Sequence, residues 1–241
     1  MKIFGWQHFV YLAVVFALSI PALVCAKLFA KSEKSQKIII KSVGLALFLS
    51  ILASRLAITF CSSSPKWHYM LPNQYCGMSS LVLSLAVLFG KKNNNVLHFV
   101  WFIALLGGIL TLVYPDFLPQ DPSLFYPPTI TGLLHHTISI IMVVILLMFN
   151  QIHITYKKWY CTIFGFTCYL TFGIFLISAL NYSDAFHIFT PILGGTPLTV
   201  WVMAPIYLVL YASIVLTIEL IRKHRNKKAQ IVQDNTTNNE Q

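Results

Sequence analysis

Long apolar runs alternate with short polar connections along the whole chain. The apolar runs are each 18 to 23 residues long. A helix of that length rises about 1.5 Å per residue and crosses a hydrocarbon core of about 30 Å. The pattern therefore predicts seven transmembrane helices, at 7–29, 39–61, 72–89, 96–113, 128–149, 159–180 and 200–221. The third and fourth runs are the shortest, so six spans with one re-entrant segment is the alternative.

Composition agrees with a membrane protein. Hydrophobic residues make up 57% of the chain and charged residues 10%, whereas a soluble domain has about 45–50% and about 25%. The mean hydropathy is +0.72. We therefore predict an all-α polytopic membrane bundle that forms a single domain over residues 1–225. Residues 226–241 are polar, rich in asparagine and free of aromatic residues, which favours a disordered cytoplasmic tail.

The net charge of +10 comes from basic residues that cluster in alternate connections. Fourteen of the 17 lysines and arginines lie between spans one and two, after span three, after span five and after span seven. The opposite side has only Lys2 and Lys66, and Arg55 lies inside a span. This bias predicts a cytoplasmic C-terminus and an external N-terminus in the cell membrane. No basic stripe is interleaved with aromatic residues, so we predict no nucleic-acid partner.

Four residues that are unusual inside a membrane share one depth in the outer leaflet. They are Arg55 in span two, Cys76 in span three, and His135 and His136 in span five. Counted at about 1.5 Å per residue from the outer ends of their spans, they lie about 6 to 12 Å deep. Ionisable residues at such a depth are costly and are typical of functional sites.

Further polar residues lie just above that level. Gln74 opens span three, Asp116 follows span four, and Asn181 and Tyr182 follow span six. The inner half of the bundle has no comparable group, because Glu219 lies beside basic residues in an ordinary end-of-helix pair. The asymmetry predicts a site near the outer surface.

Structural roles are the alternative for these residues. Arg55 could extend to the surface or pair with Asp116 and hold helices together. Since neighbouring helix positions point about 100° apart, one of His135 and His136 could be packed and the other exposed to water. Cys76 could be an inert buried thiol or form a disulfide with a cysteine at the same level, Cys61.

The histidines do not indicate a metal centre. No two of them have the i, i+4 spacing that places both on one face of a helix, and the direct succession of His135 and His136 does not chelate. We predict no metal and no cofactor.

A thiol, an imidazole, a cation and carboxamide groups at one depth are the components of acyl transfer. Histidine would take the proton of Cys76, and the thiolate would attack an ester carbonyl to form a thioester. Arg55, Gln74 or backbone donors would stabilise the oxyanion, or Arg55 would hold a lipid phosphate. Asp116 or Asn181 would orient the imidazole. The ester bonds of outer-leaflet phospholipids lie at this depth, just below the headgroups.

Sparse motifs between residues 40 and 220 resemble a known family. The motifs are Leu71-Pro72-Asn73-Gln74-Tyr75-Cys76, Tyr114-Pro115-Asp116, His135-His136-Thr137 and Asn181-Tyr182. In them the chain resembles the YwaF-type integral membrane proteins, which are similar to the transmembrane-protein-164 acyltransferases. The first motif of that family has a histidine where this chain has Gln74, and the family's later Pro-Trp-Pro stretch is largely absent.

The resemblance implies a multi-helix membrane acyltransferase that moves fatty acyl chains between lipids. It implies Cys76 as the nucleophile and His136 as the base, with membrane phospholipid as the donor and a lipid as the acceptor. The outward-facing position of the site would also suit a lipoprotein as the acceptor. The remaining candidates are His135 and Asp116 for catalysis and Arg55, Gln74, Asn181 and Tyr182 for substrate binding.

Two other functions are compatible with the sequence, a small-molecule transporter and a lipid-binding protein without chemistry. A transporter would tolerate the loss of Cys76 and would need polar residues that continue to the inner face, which the spans lack. A lipid-binding protein would also work without the thiol.

Overall fold

A computed structural model describes residues 3–115, 118 and 123–239, with side chains described as far as residue 227. Over this part of the chain all regular structure is helical. Its α-helices are α1 (Trp6–Phe29), α2 (Glu33–Phe60), α3 (Tyr75–Phe89), α4 (Asn95–Val113), α5 (Pro127–Met148), α6 (Trp159–Leu180) and α7 (Val200–Asn239). The prediction of an all-α membrane bundle is confirmed.

Helix α3 is shorter than the apolar run that contains it. The other six helices are long and apolar enough to cross a membrane, whereas the 15 residues of α3 span about 22 Å. The run begins at Pro72, but the carbonyl of Asn73 accepts the amide N–H of Phe186 at 2.8 Å and Gln74 is extended. The helix therefore begins only at Tyr75. This short helix matches the shorter segment of the six-span alternative.

Helix α2 begins at Glu33, before the apolar run starts. The hydroxyl of Ser32 accepts the amide N–H of Ser35 at 3.1 Å and caps the helix. Exposed lysines then form the first turns. The hydropathy pattern indicates only the part of a helix that lipid would cover, so the predicted span does not include these polar first turns.

Helix α7 continues for 40 residues to Asn239. It therefore includes 226–239, where composition favours disorder. Lysine, alanine and glutamine in this segment have good helix propensity, and the preceding apolar turns supply the nucleus that an isolated segment would lack.

The core of the bundle is formed by α2, α3, α4 and α5. Helix α5 contacts α1, α2, α3 and α4, and α6 packs on α4. Fully buried side chains in this core are Leu47, Leu83, Leu133, Met142 and Leu146. Helices α1 and α7 leave most of their apolar side chains exposed, as lipid-facing helices do.

Glycine at position 165 allows α6 to pack closely on α4. A Cβ atom there would overlap the ring of Phe99. That ring cannot easily move aside, because Phe99 is buried and its centroid lies 4.8 Å from that of Tyr169 in an edge-to-face contact. The glycine therefore determines how near the two helices lie.

We expect Gly165→Ala to destabilise the protein by about 1–3 kcal/mol, because overpacking forces side chains out of their preferred rotamers. The measurement is the midpoint of thermal unfolding of the purified protein in detergent. Gly194→Ala is the matched control, since a Cβ at Gly194 meets nothing within 4 Å. Equal midpoints for the two variants would contradict the close packing of α6 on α4.

Candidate active site

Cys76 lies in the first turn of α3. Gln74 is the N-cap residue of this helix and Cys76 is its second residue. The Oε1 atom of Gln74 lies 4.0 Å from Cys76 Sγ, at the limit for a hydrogen bond from a thiol. The first amides of a helix lack partners within it and favour negative charge at the N-terminus. This position therefore suits a thiolate or an oxyanion.

Cys76 forms part of the wall of a partly open cleft with a volume of about 140 Å³, which we call the thiol cleft. The cleft lies between α3, α4, α6, α7 and the loop that joins α6 to α7. Most of its wall is apolar, with side chains such as Leu106 and Met203. Gln74 and His187 contribute polar groups to the same wall.

Two adjacent glycines bring the backbone of α4 close to both neighbouring helices. A Cβ at Gly107 would lie 3.2 Å from Cys76 Cβ, and a Cβ at Gly108 would lie 3.2 Å from the carbonyl oxygen of His136. This turn of α4 therefore lies against the side chain of Cys76 on α3 and against the backbone of α5 at His136.

His135 and His136 are both buried, with 3% and 1% of their surfaces exposed. Their ring centroids are 4.1 Å apart. The alternative in which one of them faces water is wrong, because α5 contacts four other helices. In the described part of the chain, His135 Nε2 and His136 Nδ1 are buried without a hydrogen-bond partner. Such atoms are rare in folded proteins and require an explanation.

Arg55 is the cation beside these groups. It is partly buried in α2, and its charge acts on Cys76, His135 and His136. Its Nη2 atom lies 3.9 Å from the position that a Cβ of Gly77 would take. In turn, the groups whose charges act on the guanidinium are Cys76 and Tyr182. A guanidinium is well suited to bind an anion such as a phosphate or an oxyanion.

The loop between α6 and α7 carries His187 to the thiol cleft. Phe186 and His187 both have a φ of 54°, which residues other than glycine rarely adopt. Two hydrogen bonds at 2.8 Å hold this conformation, from the amide of Phe186 to the carbonyl of Asn73 and from the amide of Val200 to the carbonyl of His187. The first of them joins the loop to the segment that precedes α3.

Asp184 organises the same loop. Its carboxylate accepts the amide N–H groups of Ala185 and Ile188 at 2.9 and 3.1 Å. Burial lowers the pKa of His187 below its ordinary value of 6.5, and the negative charge of Asp184 partly offsets that effect. His187 Nδ1 is buried without a hydrogen-bond partner among the described residues. As a residue that lines the thiol cleft, a neutral His187 can act there as a general base.

Sequence reasoning missed His187. Outside the spans a histidine is ordinary, so neither depth nor hydropathy selects it. The available signal was the polar segment that follows span six, which continues past Tyr182 to Asp184.

The profile of the TMEM164 family matches residues 3–221. The chain belongs to the TMEM164 family. The match extends from the start of α1 into α7 and so includes every element that forms the thiol cleft. It confirms the predicted similarity to the transmembrane-protein-164 proteins. Comparisons with curated proteins and with solved structures gave no match.

The remaining predicted site residues of this TMEM164-family protein have different surroundings. Tyr182 lies near Arg55, and its hydroxyl donates to the carbonyl of His68. Asn181 is exposed at the C-terminus of α6, with a φ of 56°, and no hydrogen bond in the described part of the chain joins it to an imidazole. Asp116 lies outside the described residues.

The cysteines for which a disulfide is the alternative, Cys61 and Cys76, are free thiols in this TMEM164-family protein. Cys61 is exposed and Cys76 is partly buried, and no disulfide joins them. The disulfide alternative is therefore wrong. Among the described residues, no group of three His, Cys, Asp or Glu side chains could hold a metal ion.

Proposed function

We propose that this TMEM164-family protein is a membrane acyltransferase that carries a fatty acyl chain on Cys76. The observation that supports this proposal is a thiol at a helix N-terminus in the wall of an apolar cleft. The donor is a phospholipid, and the acceptor is a hydroxyl group of a second lipid or an acceptor group of a lipoprotein. On the predicted topology, the reaction takes place at the depth of the outer-leaflet esters.

The first half of the reaction transfers the acyl group to the protein. His136 takes the proton of the Cys76 thiol, and the thiolate sulfur attacks the carbonyl carbon of the ester. The carbon–sulfur bond forms and the ester carbon–oxygen bond breaks. The leaving alkoxide takes the proton back from His136, which leaves a lysophospholipid and an acyl thioester.

The second half discharges the thioester. His187 lines the cleft and takes the proton of the acceptor hydroxyl, whose oxygen attacks the thioester carbonyl. The carbon–sulfur bond breaks, and the proton on His187 passes to the departing thiolate. The new ester leaves, and the thiol is restored.

Negative charge develops on the carbonyl oxygen in both halves. The free amides of the first turn of α3 lie beside the sulfur and can donate to that oxygen. Arg55 supplies positive charge near Cys76. The guanidinium of Arg55 would bind either this oxyanion or the phosphate of the donor lipid.

The thiol cleft has room for the reacting end of an acyl chain. Apolar cavities of about 150 Å³ bind a molecule the size of benzene. A cleft of about 140 Å³ therefore accepts the ester and its first methylene groups. The rest of the chain would stay in the bilayer.

The proposal is tested by trapping the acyl intermediate. Purified protein is incubated with phospholipid that bears a tagged acyl chain, and the tag is located by mass spectrometry after proteolysis. We expect a hydroxylamine-labile tag on the peptide that contains Cys76. A tag on another cysteine would contradict the assignment of the nucleophile to Cys76. Lipid binding without any adduct or transfer product would contradict acyl transfer and favour a non-catalytic lipid-binding protein.

A further inference from the structure

A second cleft lies at the other end of α3. Its volume is about 440 Å³, and it lies between α2, the connection from α3 to α4, and the end of α5. Four lysines line it, namely Lys37 and Lys41 from α2 and Lys91 and Lys92 from the connection. We call it the basic cleft.

The walls of the basic cleft combine charge with an apolar interior. Ile40, Val87, Leu97 and Leu146 also line it, and each of them is buried. Glu33 is the one carboxylate among the residues that line it. Four ammonium groups against one carboxylate leave a net positive charge, which concentrates anions in a concave site.

Hydrogen bonds hold the two sides of the basic cleft together. Lys41 Nζ donates to the carbonyl of Val87 at 2.8 Å and also to that of Leu88, at the C-terminus of α3. The amide of Asn93 donates to the carbonyl of Gln151 at 2.8 Å and joins the two connections that flank the cleft. An ammonium group has three donors, so Lys41 keeps one for a ligand. The site is built before a ligand arrives.

A ligand that matches both features is an anion with an apolar portion. The exposed Lys37, Lys91 and Lys92 suit a phosphate group, and the apolar interior suits the glycerol and first methylenes of a lipid. Basic pockets between transmembrane helices on the positively charged side bind anionic headgroups in this way. Free phosphate would use the lysines and leave the apolar surface uncovered.

We infer that the basic cleft binds the phosphate headgroup of an anionic phospholipid. This site is separate from the thiol cleft, since the two lie towards opposite ends of α3: Cys76 lines one and Ala86 the other, about 15 Å apart along the helix. The inference does not depend on acyl transfer, because it concerns other residues and predicts binding alone.

The test measures the thermal unfolding midpoint of the purified full chain in neutral detergent while lipid is added. The probes are dioctanoyl phosphatidylglycerol, dioctanoyl phosphatidylcholine and inorganic phosphate, at constant ionic strength. We expect phosphatidylglycerol to raise the midpoint of the wild type. In Lys91→Ala/Lys92→Ala its apparent affinity should fall by about tenfold or more, as expected for the loss of two lysines near a headgroup.

The matched control is Lys31→Ala/Lys34→Ala. Both lysines are exposed, lie on the same side of the bundle and do not line the basic cleft. The control removes the same charge and should keep the wild-type affinity. An equal loss of affinity for phosphatidylglycerol in both double variants would mean that the lysines act only through general charge attraction, and it would overturn the inference.

Two further outcomes would also overturn it. If phosphatidylcholine raises the midpoint as much as phosphatidylglycerol does, the site does not recognise the net negative charge of the headgroup. If inorganic phosphate raises the midpoint as much as phosphatidylglycerol does, the ligand is a free anion and not a lipid. Lys37→Ala removes a lysine on the α2 side of the same cleft and should also weaken the binding of phosphatidylglycerol. This second variant keeps the test valid if Lys91→Ala/Lys92→Ala folds poorly.

Discussion

Cys76→Ala is expected to lower acyl transfer between phospholipids by at least about 10³-fold, because the loss of a covalent nucleophile leaves only binding and oxyanion stabilisation. Alanine keeps the Cβ atom that faces Gly107, so the packing of α3 on α4 should be unchanged. The measurement is the appearance of labelled product lipid in proteoliposomes that contain labelled donor and unlabelled acceptor.

Cys61→Ala is the matched control for this experiment. Cys61 is also a free thiol near the same end of the bundle, but it is exposed and does not line the thiol cleft. We expect its transfer rate to equal that of the wild type. A Cys76→Ala protein that folds and transfers acyl chains at the normal rate would exclude a thioester on this residue.

The two histidines are expected to fail at different steps when each is replaced by alanine. Loss of a general base lowers a rate by about 10²–10⁴-fold. In His136→Ala this loss should fall on formation of the thioester, so little adduct forms. In His187→Ala it should fall on discharge, so adduct accumulates while product does not. Time courses of adduct and product in the same sample separate the two cases.

The pH dependence provides a further check on His187. Burial lowers the pKa of His187 below 6.5, so its neutral form persists at pH 6.5 and is lost only in more acidic solution. Discharge of the thioester should therefore be constant near neutral pH and should slow below that lowered pKa. If the rate of discharge in His187→Ala still falls at the same acidic pH, that fall is due to the titration of another group, and His187 is not the base.

The helical architecture could be predicted well because it depends on hydrophobicity alone. Six of the helices satisfy the length and composition of a span, and the sequence contains that information directly. The ends of the helices depend on local hydrogen bonds instead. Ser32 extends α2 at its start, and the bond between Asn73 and Phe186 delays the start of α3. Neither a capping bond within one turn nor a bond between distant segments is visible in a hydropathy pattern.

The site could be predicted in part. Depth within the spans selected Arg55, Cys76, His135 and His136, and the charge of Arg55 acts on the other three in the structure. The periodicity of α5 could not show that both histidines are buried, because that depends on how many helices surround α5.

The loop after α6 shows the other limit of sequence reasoning. His187 reaches the thiol cleft only because two residues adopt left-handed conformations and Asp184 binds the amides that follow it. Asn181 was selected for its polarity, yet it is exposed as the C-cap residue of α6. Loop geometry of this kind is not encoded in the pattern of apolar positions.

The length of α3 creates a mismatch with the bilayer. A helix of about 22 Å cannot cover a hydrocarbon core of about 30 Å, so the bilayer thins beside it or other backbone fills the remaining depth. Irregular backbone is tolerated at that depth only where protein buries it or water reaches it, and here the hydrogen bond from Phe186 to Asn73 joins the loop after α6 to the segment that precedes α3. The thickness of the surrounding membrane therefore helps to set how far a lipid ester must move to reach Cys76.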